Sequence, residues 1–547
     1  MNTDKNKLNG SLAYPKPPLV SELKSTSGDK NRQVGLFYFL WLGGHGRHKP
    51  YDVSKILEAD PQAGYKTESD IWGGVGTYHH WGEPLYGYYY SDDEWVVRKH
   101  MKLLISAEID FLFFDTTNAA IYENNAKLVM RILDEYRADG WTIPKVMFYT
   151  NTQSGKTVER LYDSIYKQNY MPETWFMYEG KPLIIAKREE CTAEFLDFFT
   201  VREAQWPNEA DKQGGWPWMD FTKPQRVFTD FNGKDEVINV SVAQHPQLRF
   251  GDSAMYGEKN NCGRAFHDGY NDTEPDAYIK GYNFIEQFER AVETDPPVVL
   301  VTGWNEWIAG RWEGIPERPI MFVDCCNYEY SRDIEMTRGR YGDSYYRQLI
   351  SCVRKYKQIP DNIKTLKSGE AIEFLNFTDD DIPRNNEGYG MVYTNYTARN
   401  ILSEISMEKT ADTLKFKITA KNKITPYTSD GTWMQLFVNV CETDKRFIIN
   451  HSPKSETVTT IAELKSADDF CDTSYVCDIQ YNCCDNGIEF IIDTAVLYDK
   501  GTDFTIEIKA ADSVKSYCQP IDFYEYGSAA PIGNLYYKLT LTERIIL

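Results

Sequence analysis

Residues 33 to about 368 alternate between short, continuously apolar segments and longer segments with helical periodicity. The apolar segments include "QVGLFYFLW", "DFLFFDTTN", "PKVMFYTN", "KPLIIAK" and "PPVVLVTGWNEW". Strands that are apolar on both faces are typical of parallel sheets covered by helices. The spacing predicts close to eight strand–helix units, and therefore an α/β fold of the (β/α)8 TIM-barrel type over residues 33–368. A doubly wound sheet is the alternative, but no G-x-G-x-x-G loop opens a helix after a strand.

The helical segments carry recognisable ends. "SDDEWVVRKHMKLLISAEI" predicts a helix capped by Ser91 or Asp92. "NNAKLVMRILDEYRADG" predicts a second helix that is closed by Gly140. "DSYYRQLISCVRKYK" predicts the last helix of the barrel, ending near Gln358.

The pattern changes near residue 369. "TLKFKITAK", "TWMQLFVNV", "GIEFIID" and "LYYKLTLTE" alternate apolar and polar residues, and sequences such as Asp485-Asn486-Gly487 indicate turns between them. We therefore expect residues 369–547 to form a C-terminal antiparallel β-sandwich domain. Residues 1–32 are rich in Lys, Ser, Pro and Asn without periodicity, and we expect a flexible N-terminal segment.

Composition narrows the classes of partner. The chain of 547 residues has a net charge of -21, which disfavours nucleic acid and anionic membranes. Aromatic residues make up 14% of the chain. Such residues line sugar-binding clefts, although a large core accounts for most of them. Without paired C-x-x-C blocks, the 11 cysteines predict no zinc site, mainly buried thiols, and at most one or two disulfides in the C-terminal part. We expect no cofactor.

The chain has no apolar run of 18 residues, so we expect no membrane insertion. Its N-terminus, MNTDKNKLNGS, lacks the apolar core of a signal peptide. The expected location is periplasmic or extracellular if a signal peptide has been removed, and is otherwise undetermined.

The candidate site follows from the barrel, because catalytic groups of such folds lie at the carboxyl ends of the strands. Glu306, between two tryptophans at the end of the last strand, is the main candidate. Partial desolvation would suit it to acid or base chemistry on a sugar. The alternative is that Glu306 pairs with Arg311 or Arg332 and only stabilises the barrel top. The candidate sugar contacts at the strand ends are Trp41, His45, His80, Trp81, Tyr149, Asn151, His245, Asn305 and Trp307.

"WNEW" with a following Gly resembles the strand-end motif of glycoside hydrolase family 99, the endo-α-mannosidase-like enzymes, and of related family 71-like proteins. "GLFYFLW", "YHHWGEP" and "YEGKPLIIAK" resemble other segments of that family, so the resemblance covers roughly residues 33 to 358. It implies a retaining glycosidase with two glutamates in N-E-W-x-E-G. Glu306 matches the first, which assists attack by the 2-hydroxyl of the sugar. The second, the general acid, is Ala309 in this chain.

Either another carboxylate donates the proton, or the catalytic geometry differs, or the chain is not a hydrolase. We favour Asp115 or Glu313, and the further candidates are Asp268, Asp333 and Glu335. In the C-terminal part, "IEFLNFTDDDIPRN" and "GTWMQLFVNV" resemble a family 9-like carbohydrate-binding β-sandwich. Its acidic run Asp379–Asp381 could bind Ca²⁺, but it lacks EF-hand spacing, which favours a solvated loop.

The expected function is a glycoside hydrolase that cleaves a complex glycan or polysaccharide with retention of configuration, and the expected partner is that saccharide. A catalytically degenerate glycan-binding protein is the first alternative, and Ala309 favours it. A glycosyltransferase-like enzyme is the second, but neither a phosphate-cradling loop nor a basic patch is evident. The sequence does not predict the sugar, the linkage or the oligomeric state.

Overall fold

A nearly closed sheet of eight parallel strands is the central feature of the computed structural model, which describes residues 4–28, 30–244, 255–257, 261–323, 325–499, 503–515 and 518–542. The strands are β1 (Gln33–Tyr38), β2 (Phe111–Thr116), β3 (Lys145–Thr150), β4 (Lys181–Ala186), β5 (Thr200–Gln205), β6 (Gly215–Pro217), β7 (Asp235–Ser241) and β8 (Val298–Thr302). Each strand from β1 to β5 pairs with the next one, β7 pairs with β8, and β8 returns to β1.

The remaining gap lies between β6 and β7. The short strand Val227–Thr229 runs antiparallel to β7, and the Thr229 carbonyl accepts a hydrogen bond from Gly214 beside β6. Nδ2 of Asn239 in β7 also donates to the Trp218 carbonyl just after β6 at 3.1 Å. Side chains and one short strand therefore join the two ends of the sheet.

Helices follow most of the strands. They are Val53–Ala59, Ser69–Trp72, Glu94–Ser106, Glu123–Ala138, Ser154–Leu161, Ala193–Phe198, Ala277–Lys280, Tyr282–Thr294 and Ser344–Lys357. Asp93, rather than Ser91 or Asp92, caps the helix Glu94–Ser106, because its carboxylate accepts from the Val96 amide. Residues 206–214 and 218–234 contain no helix, so the strand–helix alternation is interrupted after β5 and after β6.

The C-terminal region is rich in antiparallel strands. They are Ala371–Leu375, Arg384–Gly388, Met391–Asn395, Leu402–Lys409, Thr413–Ala420, Gln435–Val440, Lys445–Ile449, Val458–Leu464, Thr473–Cys484, Gly487–Asp493, Phe504–Asp512, Ser528–Ala530 and Tyr536–Thr542, with Lys364–Lys367 pairing in parallel with the last of them. Apolar side chains from most of these strands form a core of their own. Cys471 and Cys518 in this region form a disulfide, while Cys325, Cys326 and Cys352 of the preceding region are buried and form no disulfide within the described residues.

The N-terminal segment differs from the flexible tether that its composition indicates. Residues Lys5–Asn9 form a helix, and Leu12–Ala13 pair with the strand Tyr536–Thr542 of the C-terminal region.

The acidic run also differs from a solvated loop, because Asp379 and Asp380 form ion pairs with Lys102 of the barrel at 2.5 and 2.7 Å. In the part of the chain that the structure describes, no helix has the length and apolar character needed to cross a membrane.

Candidate active site at the carboxyl ends of the strands

The segment after β8 is held by backbone contacts that set the position of Glu306. The Trp304 amide donates to the carbonyl of Phe37 in β1 at 2.8 Å. Asn305 holds the other side, because its side chain accepts from the Phe39 amide at 2.9 Å and donates to the Phe39 carbonyl at 3.1 Å. Asn305, expected to contact sugar, is therefore buried and occupied by the backbone of the segment after β1.

The Glu306 carboxylate forms an ion pair with Arg332. Nη2 of Arg332 donates to Oε2 of Glu306 at 2.5 Å, and the two side chains are 1% and 7% exposed. Arg311, the other arginine considered as a partner, donates instead to the Gly73 carbonyl. A guanidinium this close stabilises the negative charge of the Glu306 carboxylate.

A second carboxylate, that of Asp333, adjoins Glu306. Its Oδ1 accepts the Glu306 backbone N–H at 2.6 Å. Its Oδ2 is buried and has no hydrogen-bond partner within the described residues. Burial raises the pKa of Asp333 to about 6, against the opposing effects of the Glu306 amide and the Arg332 charge. The two neighbouring carboxyl groups thus differ in environment: one faces a cation, and the other is mainly desolvated.

Trp81 and Trp307 are buried beneath the solvent-facing surface, beside the backbone of the segment that carries Glu306. Their rings stack with centroids 4.2 Å apart, and both residues are fully buried. The Trp81 indole donates to the Glu306 carbonyl at 2.9 Å, and the Trp307 indole donates to the carboxylate of Glu335. Each ring is buried and supports the segment that carries Glu306, and the role of these rings as sugar contacts stays a prediction.

Tyr149 and His80 are also buried away from solvent. The Tyr149 hydroxyl donates to the Trp216 carbonyl at 2.8 Å inside the barrel. His80 packs between Tyr88 and Tyr389, and burial lowers its pKa well below the usual value, so the ring is neutral near pH 7. Both side chains are buried in this structure, and their role as sugar contacts stays a prediction. Ala309 pairs with His79 across two antiparallel strands, so the position that holds a glutamate in family 99 is part of a sheet.

Trp41 and His45 remain near the surface of this end of the barrel. The His45 ring stacks on Tyr78 at 4.7 Å and lies 5.1 Å from the Trp41 ring. Nε2 of His45 lies 3.1 Å from the hydroxyl of Tyr122, and burial lowers the pKa of His45. These aromatic side chains, carried by three different loops, form one continuous face.

The other candidate residues occupy separate positions. Asp115 is the penultimate residue of β2, is buried, and accepts from the Thr117 amide at 2.9 Å. Asn151 is half-buried directly after β3. Glu313 is exposed on the strand Ile308–Ile315, which forms a hairpin with Arg318–Phe322. His245 lies outside the described residues.

Trp206 and Trp218 are tryptophans of this end that the sequence reasoning missed. They follow β5 and β6, and their rings lie 5.3 Å apart. The Arg332 guanidinium lies over the Trp218 ring at 5.2 Å. The indole N–H groups of Trp218 and Trp41 are buried without an acceptor in the part of the chain that is described. The tryptophan-rich stretch "QWPNEADKQGGWPWMD" was the available signal.

No protein-family model matches the sequence, and no curated protein matches it. Among solved structures, the chain is similar to a GH99 endo-alpha-mannosidase from Bacteroides thetaiotaomicron, with a TM-score of 0.36 and 16% identity over 60% of this chain and 97% of that chain. The same enzyme in complex with BIS-TRIS-Propane gives a TM-score of 0.35 and 15% identity, over 60% and 98%. An endo-beta-1,4-mannanase from Thermotoga petrophila gives 0.19 and 6%, over 82% and 95%.

Proposed function

We propose that this protein is a glycoside hydrolase acting on a complex glycan or polysaccharide. The observation that carries the proposal is that two carboxylate residues meet after the carboxyl end of β8 in different environments: the Glu306 side chain pairs with Arg332, while the Asp333 side chain accepts the Glu306 backbone N–H. Glycosidic bond cleavage requires one carboxyl group that is ionised and one that can donate a proton. The tryptophans that follow β1, β5 and β6 supply flat apolar surfaces suited to sugar rings.

Each carboxyl group has a role that fits its environment. Glu306, beside the Arg332 guanidinium, is suited to act as the base that assists attack at the anomeric carbon. Asp333, whose pKa is raised to about 6, is suited to donate a proton to the leaving oxygen. Asp115 and Glu313 stand as alternative donors. The motif resemblance adds retention of configuration to the proposal.

We also propose the domain assignment that this function implies. Residues 33–368 would form a catalytic (β/α)8 barrel, and the eight parallel strands with β8 returning to β1 support that assignment. Residues 369–547 would form a β-sandwich of the carbohydrate-binding kind, supported by the antiparallel strands around a separate core.

A glycan-binding protein on a catalytically degenerate barrel is the second candidate. Ala309 favours this candidate, and so does the burial of the Glu306–Arg332 pair. A carboxylate held by a guanidinium can have a purely structural role, without acting as a base. Release of reducing ends from α- and β-linked oligosaccharides separates the two functions. Turnover that disappears in Glu306→Gln supports the hydrolase. Binding without turnover by the unmodified protein supports the binding protein.

A further inference from the structure

One hairpin of the C-terminal region packs against the loops at the carboxyl end of the barrel. We call it the rim hairpin, formed by Arg384–Gly388 and Met391–Asn395. The Tyr389 amide donates to the Tyr88 carbonyl at 2.8 Å, and the Tyr393 hydroxyl accepts from the Tyr88 amide at 2.8 Å. The hairpin thus satisfies both the N–H and the carbonyl group of Tyr88, and these two bonds fix the position of the hairpin relative to the barrel.

Arg384 anchors the base of the rim hairpin. Its Nε donates to Oδ2 of Asp93 at 2.8 Å, and both side chains are nearly fully buried. Asp93 also caps the helix Glu94–Ser106. At the tip, Gly390 has a φ of +78°, and a Cβ there would meet Pro50 at 2.7 Å. The hairpin and the barrel loop approach too closely at this point for a larger residue.

Tyr389 connects the rim hairpin to the loop after β1. Its hydroxyl accepts the Gly43 amide at 2.8 Å, and its ring packs against Tyr90 at 4.8 Å. Farther along the loop, Arg47 pairs with Asp92 at 2.8 Å and with Glu387 of the hairpin at 3.2 Å. The hairpin therefore holds the loop after β1 at two points, Gly43 and Arg47.

A cavity of about 380 Å³ opens beside this loop, and we call it the rim pocket. It is lined by Leu42, Gly43, Gly44, Arg47, Asp92 and the segment 122–125. Its volume is at the lower end of the range of about 300–1,000 Å³ that small-molecule sites occupy. Tyr122 joins the pocket to the aromatic face of the site, because its hydroxyl lies 3.1 Å from His45.

The chemistry of the lining favours a neutral, hydroxylated ligand. Asp92 and Glu123 are acceptors, Arg47 is a donor, and the Asn124 amide can both donate and accept, whereas the Asn125 amide already donates to the Leu40 carbonyl at 2.7 Å. The single cation is already balanced by Asp92 and Glu387, so an anionic ligand would meet excess negative charge. Vicinal hydroxyls of a sugar suit such a mixture of donors and acceptors.

We propose that the rim pocket binds an outlying sugar residue of the glycan, and that the rim hairpin, through Tyr389, positions the loop that forms it. The proposal rests on the proposed function, because the ligand is the same glycan. It gives the C-terminal region a part in building the site, and Tyr389 is a positioning residue without direct contact to the reacting atoms.

Binding of neutral manno-, malto- and xylo-oligosaccharides of two to six residues, measured by calorimetry, tests the pocket. Arg47→Ala and Asn124→Ala should each weaken binding of the longest bound oligosaccharide about tenfold, as expected for one lost polar contact, and leave disaccharide binding unchanged. Equal affinity of variant and parent at every length would overturn the pocket and leave the proposed function intact. Absence of binding of every oligosaccharide by the parent protein would overturn the pocket, whereas the proposed function is overturned separately, by the absence of reducing-end release from α- and β-linked oligosaccharides.

Hydrogen–deuterium exchange tests the rim hairpin without any ligand. Tyr389→Phe keeps the ring and removes the acceptor of the Gly43 amide, so exchange in residues 43–47 should accelerate at least threefold. Tyr396→Phe is the matched control, because that side chain is 65% exposed in the same region. Identical exchange in the two variants would overturn the positioning role of Tyr389.

Discussion

The Arg332 guanidinium lies 2.5 Å from the Glu306 carboxylate, and neither side chain has more than 7% of its surface exposed. Removing one partner of such a buried pair leaves the other charge uncompensated, typically at a cost of about 3–5 kcal/mol. The pair therefore contributes to stability whether or not it contributes to catalysis. Tests of Glu306 must separate these two contributions.

Glu306→Gln should lower kcat at least about a hundredfold, because loss of a positioned base typically costs a factor of about 10²–10⁴. Urea unfolding of the same variant shows whether it remains folded at the assay temperature. Glu317→Gln is the matched control, since Glu317 is exposed on the turn between the two strands of the nearby hairpin. Unchanged turnover in a folded Glu306→Gln would refute the proposed base.

The pH dependence of kcat tests Asp333. A proton donor must be protonated to act, and burial raises the pKa of Asp333 to about 6. The rate should therefore fall as pH rises through about 6. Asp333→Asn should lose turnover of natural glycans but retain most turnover of aryl glycosides, whose leaving groups need little protonation. The same selective rescue in Asp115→Asn or Glu313→Gln would assign the donor role elsewhere.

Trp218→Ala should weaken glycan binding about tenfold, because it removes a large ring beside Arg332 and Trp206. Tyr475→Ala serves as the control, since that ring is 65% exposed in the C-terminal region. Titration calorimetry with the tightest-binding oligosaccharide measures the difference. Equal affinity of the two variants would show that the glycan does not reach the ends of β5 and β6.

The ion pair between Lys102 and Asp380 should make the free energy of unfolding depend on pH in the acidic range. Burial alone would raise the pKa of Asp380, but Lys102 and Lys99 outweigh it and hold that pKa well below its usual value. The ionised group thus stabilises the fold above the pKa of about 3.9 that it has when unfolded, and this contribution is lost as pH falls. Asp380→Asn should cost about 3 kcal/mol at pH 7, since it removes the ion pair of the buried Lys99 ammonium and leaves the Lys102 ammonium paired with Asp379 alone.

The difference in unfolding free energy between the parent and Asp380→Asn should then shrink between pH 5 and pH 2, as followed by urea titration at each pH. Asp381→Asn is the control, because Asp381 pairs with Lys421 at the surface. A difference that stays constant down to pH 2 would show that Asp380 is not the acid-sensitive group.

The sequence predicted those strands whose side chains are buried on both faces. Two such strands are Val298–Thr302 and Phe111–Thr116. Their sequences are mostly apolar because helices or the barrel interior cover both strands completely. The strand Thr200–Gln205 was missed, because Arg202 satisfies its charge by pairing with Glu236 at 2.7 Å within the barrel. Gly215–Pro217 is too short to show any periodicity.

The position of Glu306 was predictable, because a glutamate that ends an apolar strand must lie at the rim of a parallel sheet. The roles of its neighbours were not. Asn305, Trp81 and Trp307 have the residue types of sugar contacts, but their hydrogen bonds to the backbone and to Glu335 bury them. Burial depends on insertions that pack over the strand ends, and sequence periodicity does not report it. The domain boundaries stay predictions.

The pairing of Leu12–Ala13 with Tyr536–Thr542 has a consequence for synthesis of the chain. A ribosome makes the N-terminal partner of this ladder more than 500 residues before the other. Leu12 and Ala13 must therefore remain without this sheet neighbour until the strand Tyr536–Thr542 has emerged. Protection of Leu12 and Ala13 from exchange would therefore mark a late stage of folding.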